Sequence, residues 1–155
     1  MKPTMANEIE RRWLVENPPA EALDRLVFHI EQGYLPTGLR TRKTTVYSDD
    51  GREMSYYHLT VKTRLSGMTN EEIEVEVPEP VHRTLWAFEK KRLTKKRRVI
   101  PHGDFKIELD EFEDGTFIAE IELKNEDDFV DVPEWFGREI TGDKTLTNYA
   151  LARPV

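Results

Sequence analysis

From Glu72 to Val77 the chain reads Glu-Ile-Glu-Val-Glu-Val, so an extended backbone here puts carboxylates on one face and branched apolar side chains on the other. The same period of two sorts most of the other strand-like stretches. Glu8, Glu10 and Arg12 share a face, as do Arg40 and Arg42, then His58, Thr60, Lys62 and Arg64. Lys95 falls with Arg97, Glu108 with Asp110, and Glu120 with Glu122. The opposite faces are apolar: Leu59 and Val61, Ile73, Val75 and Val77, Ile107 and Leu109, Ile121 and Leu123. A half-buried sheet with an ordinary wet face mixes both signs with Ser and Thr. Here single strands are nearly all acidic or all basic. Like charges at this spacing repel, so the pattern calls for a bound ion or polyanion that neutralises them.

Punctuation divides the chain. Met1 to Asn7 reads as a loose leader and Glu8 to Val15 as a first strand, broken by Asn17-Pro18-Pro19. A short helix follows over 19–26, then a strand over 27–35 that ends at Pro36-Thr37-Gly38. Leu39–Tyr47 and Met54–Arg64 flank Ser48-Asp49-Asp50-Gly51 as a hairpin. Glu71–Val77 is closed by Pro78, and a helix is expected from Val81 to about Lys91 with Val81, Leu85 and Phe88 on one face. Strands at 94–100 and 105–112 flank His102-Gly103-Asp104, and a last strand runs from Thr116 to Leu123. A terminal helix is expected from about Lys144 to Arg153. The 155 residues show no repeat and no Gly/Ser linker, so a single domain over 1–155 is expected. The mixture implies an α+β fold, an antiparallel sheet or barrel with helices packed outside it.

Composition excludes several classes of function. There is no cysteine, which removes disulfides, thiolate-held zinc, iron–sulfur clusters and thiol nucleophiles together. Any metal must then be held by oxygen or histidine. A formal charge of −7 argues against general binding to nucleic acid or membrane surface. No apolar run approaches the roughly 20 residues of a spanning helix, and residues 1–30 lack the pattern of a signal peptide, so the expected location is the cytoplasm. The basic run from Lys90 to Arg98 reads as a helix end followed by an alternating strand, with Lys96 and Arg98 facing outward. His29, His58, His82 and His102 show no ligand spacing; Trp13, Trp86 and Trp135 read as packing residues.

If the charged faces turn inward, carboxylates and cations from distant strands meet in one tunnel. Carboxylates without nitrogen or sulfur partners suit hard divalent cations, Mg²⁺ or Mn²⁺ above Ca²⁺. Converging guanidinium and ammonium groups suit phosphate oxygens. Together they imply a metal–polyphosphate site equipped for phosphoryl transfer. No P-loop is present.

The opening Glu8-Ile9-Glu10-Arg11-Arg12-Trp13-Leu14-Val15 resembles the ExExK signature, EIERKFLV in bacterial members, of the CYTH superfamily of triphosphate tunnel metalloenzymes. Further elements are similar in order and spacing: Gln32-Gly33-Tyr34-Leu35 to QGYL, Leu39-Arg40-Thr41-Arg42 to RxR, Leu59-Thr60-Val61-Lys62 to LTxK. So are Glu72-Ile73-Glu74 to the central ExE, Lys95-Lys96-Arg97 to KxR, Leu109-Asp110-Glu111-Phe112 to LDxF, Ala119-Glu120-Ile121-Glu122 to the closing ExE, and Gly137–Lys144 to the entry of the last helix. The resemblance implies an eight-stranded antiparallel tunnel that takes a triphosphate-containing small molecule with Mg²⁺ or Mn²⁺, as a monomer or homodimer. By position, Glu8, Glu10, Glu120 and Glu122 would hold metal; Arg12, Arg40, Arg42, Lys62, Lys95 and Arg97 would grip the triphosphate, and Lys144 would close one end. Glu8, Glu10, Arg12 and Lys95 would be catalytic, with Glu72, Glu74 and Asp110 supporting. Inorganic tripolyphosphate hydrolysis with side activity on nucleoside triphosphates is the leading expectation, beside adenylate cyclisation on the same fold or polyphosphate binding without turnover. This sequence departs from the family's pattern at two positions. Arg12 replaces a lysine and cannot readily lose a proton, and Asn70 replaces an arginine for which Arg64 is the candidate substitute.

Overall fold

The computed structural model describes residues 2–155. Its strands are β1 (Thr4–Val15), β2 (Phe28–Tyr34), β3 (Arg40–Tyr47), β4 (Glu53–Arg64), β5 (Thr69–Glu76), β6 (Lys91–His102), β7 (Phe105–Phe112), β8 (Phe117–Leu123) and the two-residue β9 (Arg153–Pro154). The helices are α1 (Ala20–Leu23), α2 (Glu79–Trp86) and α3 (Asn148–Leu151). All pairings are antiparallel, in the order β2-β3-β4-β5-β1-β8-β7-β6, and β6 pairs back onto β2. The sheet is therefore a closed eight-stranded barrel, which leaves no strand edge unpaired around its wall. β9 adds to β6 beyond the end of β7. Among the described residues, no helix is long and apolar enough to cross a membrane.

The barrel is built with its charge inside. Cross-strand register stacks the inward residues of neighbouring strands: Arg40 opposite Thr60 opposite Glu74, Lys62 opposite Glu72, Arg12 opposite Glu120 opposite Glu108. The apolar faces look outward, and the chain covers part of them. Trp13, Val15, Ile107, Leu109, Ala119, Ile121 and Leu123 are buried beneath Ala22 of α1 and beneath Val130, Trp135 and Phe136. Removing each such side chain from water stabilises the fold by about 1.5–3 kcal/mol. This covering segment is locked to β1 by backbone bonds, Gly137 N–H to Leu14 O (2.7 Å) and Ile140 N–H to Arg12 O (2.8 Å). On β1, β4 and β5 the outward row of Met5, Ile73 and Val61 stays exposed. A second cluster joins Leu93, Phe112 and Ile118 to Ile140 and Ala152, with Leu146 and Leu151 packed on it.

α1 is shorter than the expected 19–26, β6 is longer than the expected 94–100 and β5 begins at Thr69, and three further boundaries shift for visible reasons. Thr4–Asn7 are not a leader: they extend β1 and pair with Glu71–Glu74 of β5, a register the local sequence does not advertise. Met1 lies outside the described residues. α2 ends at Trp86 instead of running to Lys91, and its buried residue is His82, which sits between Tyr57 and Trp86; Val81 and Phe88 are exposed. The chain leaves α2 because Glu89 turns inward, where its buried carboxylate accepts from Thr41 Oγ1 and from Arg92 Nε (3.0 Å). The last helix is one turn, Asn148–Leu151, because Asp143 Oδ1 accepts from the N–H (2.9 Å) and Oγ1 (2.6 Å) of Thr145 and holds residues 143–145 in a turn.

Glu89 also explains Gly33. A Cβ at Gly33 would fall 1.9 Å from the Glu89 carboxyl carbon. Glu89 is fully buried and held at both oxygens, so it cannot give way without breaking those bonds. Gly33→Ala is expected to lower stability by about 2 kcal/mol. A fall in the urea midpoint at unchanged slope checks it; a wild-type midpoint would show that Glu89 moves freely.

Candidate active site

The bore holds a cavity of about 180 Å³ whose wall carries seven carboxylates, Glu8, Glu10, Glu72, Glu74, Glu108, Glu120 and Glu122, and four cations, Arg40, Arg42, Lys62 and Arg97. It continues through Glu10, Arg40, Lys62 and Asn148 into a mouth chamber of about 260 Å³ that adds Arg12, Tyr34, Arg64, Asn70, Thr141 and Tyr149. Residues far apart in sequence meet here because every second residue of eight closed strands must point to the same axis.

Most cations are already paired. Lys62 Nζ lies 3.4 Å from both Glu8 and Glu72. Arg40 donates to Thr60 Oγ1 (3.1 Å), which donates to Glu74 (3.0 Å), and the guanidinium is 3.7 Å from Glu74 itself. Deeper in the wall, Asp110 accepts from Lys95 Nζ (2.7 Å) and from Arg97 Nε (2.7 Å) and Nη2 (2.9 Å). Arg97 also reaches Glu108 (2.8 Å) and Glu120 (3.6 Å), and Arg12 Nε donates to Glu120 (3.2 Å). Arg42 donates to Gln32 Oε1. Among the described residues, two guanidinium nitrogens, Arg12 Nη2 and Arg40 Nε, are buried with no hydrogen-bond partner, and both residues line the mouth chamber.

The carboxylate surplus shows in the protonation of the bore. Burial disfavours the charge of each acid. For Glu8 the hydrogen bond with Glu72 and the Lys62 charge overcome that and hold it at about 2. Glu72 is pushed up to about 7 by burial and by Glu8. Glu10 is raised well above the usual carboxylate range by burial, Glu120 and Glu8; Glu122 is raised by burial and Glu8, and Glu108 mainly by burial. Asp110 goes the other way: despite its burial, the charges of Arg97 and Lys95 hold it far below the ordinary range. Burial, with Arg40 and Arg97 nearby, brings the Arg42 guanidinium down to about 9.

The structure places Glu8, Glu10, Arg40, Arg42, Lys62, Glu72, Glu74, Arg97, Glu120 and Glu122 around the inner cavity, and Arg12 in the mouth. It does not bring Lys95 or Lys144 to either chamber. Lys95 is fully buried behind the wall between Asp110 and Asn148 (3.2 Å), with its ammonium 5.7 Å from the Phe112 ring centre. Lys144 is exposed in the turn before α3. Arg64 stands directly opposite Asn70 across β4 and β5, so a cation occupies the mouth at the level where Asn70 supplies none. Lys96 is exposed, and Arg98 bonds to Leu23 O (3.1 Å) and Glu111 (3.3 Å) outside the bore. Sequence reasoning assigned no role to Glu108, Gln32 or Asn148. Glu108 could have been found from its alternation with Asp110; Asn148 opens α3, and the helical pattern there gives no sign that its first residue reaches the bore.

The chain is 32% identical over 158 residues to an inorganic triphosphatase of Acetivibrio thermocellus, across 96% of this chain and 95% of the relative. It is 32% identical over 154 residues to an inorganic triphosphatase of Nitrosomonas europaea, across 94% and 96%. The chain belongs to the CYTH superfamily. No family model matches it. The PH1012 protein of Pyrococcus horikoshii shares the fold at a TM-score of 0.54 and 18% identity, over 77% of this chain and 80% of that one. Against the CYTH pattern, the ExExK strand here is β1, its first two acids face the inner cavity, and Arg12 at its third place faces the mouth.

Proposed function

We propose that the bore hydrolyses inorganic tripolyphosphate to orthophosphate and pyrophosphate with Mg²⁺ or Mn²⁺, with nucleoside triphosphates as secondary substrates. The observation that carries this reading is the pair of buried guanidinium N–H groups, on Arg12 and Arg40, that have no partner among the described residues, set in the wall of a tunnel with surplus carboxylate. A buried donor left unpaired costs free energy, and a phosphate oxygen is the acceptor that fits a guanidinium best. The relatives' shared name supports the same substrate.

The donor set fits a hard divalent cation. Glu8, Glu10 and Glu122 line one cavity, and burial together with neighbouring carboxylates makes Glu10, Glu72 and Glu122 hold protons more tightly than usual. Among the described residues no three acids converge enough to cage an ion alone, so phosphate oxygens and water would complete the shell. When bound, such an ion neutralises phosphate charge and acidifies a coordinated water. Arg12, Arg40, Arg42 and Arg64 align the phosphate chain, and Lys62 and Arg97 absorb charge that develops on the transferred group. Glu72, pushed up to about 7 by burial and by Glu8, can take a proton from the attacking water and return one to the leaving phosphate, while Glu8 stays ionised for the cation.

Incubation with tripolyphosphate is expected to release one orthophosphate and one pyrophosphate per turnover with either metal, and none with a chelator. Absence of product across both metals would sink the proposal.

A further inference from the structure

One cation of the inner cavity is held differently from the other three. Arg97, Lys62, Arg12 and Arg40 each have a carboxylate within ion-pair distance, and Lys95 has Asp110. Arg42 lines the same cavity, yet among the described residues it forms no ion pair. Its Nε donates at 2.9 Å, and its Nη2 at 2.5 Å, to one oxygen, the amide Oε1 of Gln32. Gln32 stands directly across from Arg42 on β2, is wholly buried, and spends its own amide N–H on Tyr34 Oη (3.2 Å).

A glutamate at this position would occupy nearly the same volume and would pair with Arg42 as Asp110 pairs with Arg97. It would also cancel the charge. The neutral amide instead grips the back edge of the guanidinium fork and gives it no ion pair, so that burial and the charges of Arg40 and Arg97 act on Arg42 with only the more distant Asp110 and Glu74 to offset them. That arrangement becomes reasonable only if an anion arrives. We propose that Gln32 is a positioning residue: it fixes the plane of Arg42 without neutralising it, reserving the guanidinium for the phosphate chain. The inference rests on the reading of the bore as a triphosphate site.

Two variants separate orientation from charge. Gln32→Glu is expected to raise the urea midpoint, because Arg42 gains an ion pair, while tripolyphosphate binding measured by calorimetry weakens by about tenfold or more. In turnover assays its KM is expected to rise by more than its kcat falls. Gln32→Met keeps the charge and loses the grip, so it is expected to lower the urea midpoint and weaken binding by only about threefold to fivefold. A merely structural Gln32 would show affinity following stability in both variants. Wild-type affinity in Gln32→Glu, or the same loss in both variants, overturns the positioning role while leaving wild-type tripolyphosphate hydrolysis intact. A wild-type protein that neither binds nor hydrolyses tripolyphosphate overturns the role and the underlying reading together, and the wild-type titration shows which has happened.

Discussion

Asp110→Asn is expected to cost the fold about 3–5 kcal/mol, and to lower the thermal midpoint by roughly 8–16 °C for a chain of this size. The carboxylate is fully buried and neutralises two cations at once, Lys95 at 2.7 Å and Arg97 at 2.7 and 2.9 Å. An amide can still accept from one of them but balances neither charge. Arg97 retains Glu108 and Glu120, whereas Lys95, sealed behind the wall, keeps among the described residues only the neutral Asn148 as a hydrogen-bond partner. Lys95→Met should therefore rescue part of the loss in the Asp110→Asn background, since it removes the cation left stranded. Strict additivity of the two substitutions would count against this account. Acid should reveal the same group. Asp110 binds its proton far more weakly in the folded chain than in the unfolded one, so its stabilisation is complete above the unfolded value of about 4 and falls away as pH drops below it. Asp110→Asn is expected to flatten that acid limb in urea titrations at stepped pH.

Lys95 also shows where sequence reasoning stops. Its alternation with Arg97 correctly sends it inward, but alternation gives a direction and no depth. Depth comes from Asp110 and Phe112 on β7, whose register with β6 depends on how the closed barrel is assembled. The strands themselves were legible because Glu72, Glu74 and Glu76 alternate with apolar residues and because turns such as Ser48–Gly51 interrupt the pattern. The first four residues of β1 were not, since Thr4–Asn7 are held extended by pairing with β5, more than sixty residues away. The helix ends misled for a local reason. Val81, Leu85 and Phe88 have helical spacing, yet burying Glu89 against Thr41 outweighs another turn of α2, and Asp143 captures Thr145 before a helix can begin at Lys144. Gln32 was visible as part of a motif, but its importance lies in what it lacks, a charge, and that has meaning only beside Arg42.

Glu10→Gln is expected to reduce tripolyphosphate turnover by about a thousandfold or more while leaving the fold as stable as the wild type, or slightly more so. The two effects diverge because burial and neighbouring carboxylates make Glu10 an unfavourable charge in the bore. It is buried, and Glu120 and Glu8 repel it more than Lys62 attracts it, which raises its protonation well above the ordinary range. Glutamine keeps the shape and removes the repulsion. What it cannot replace is a hard anionic oxygen at the junction of the inner cavity and the mouth, where Glu10 is the carboxylate common to both. Titration of Mn²⁺ in the presence of tripolyphosphate should show the apparent metal affinity falling with turnover, and excess metal should recover only part of the rate. If Glu10 served the architecture alone, the urea midpoint would drop and the surviving folded fraction would turn over at the wild-type rate. Those opposite signs make this substitution decisive, because they separate what Glu10 costs the fold from what it supplies to the chemistry.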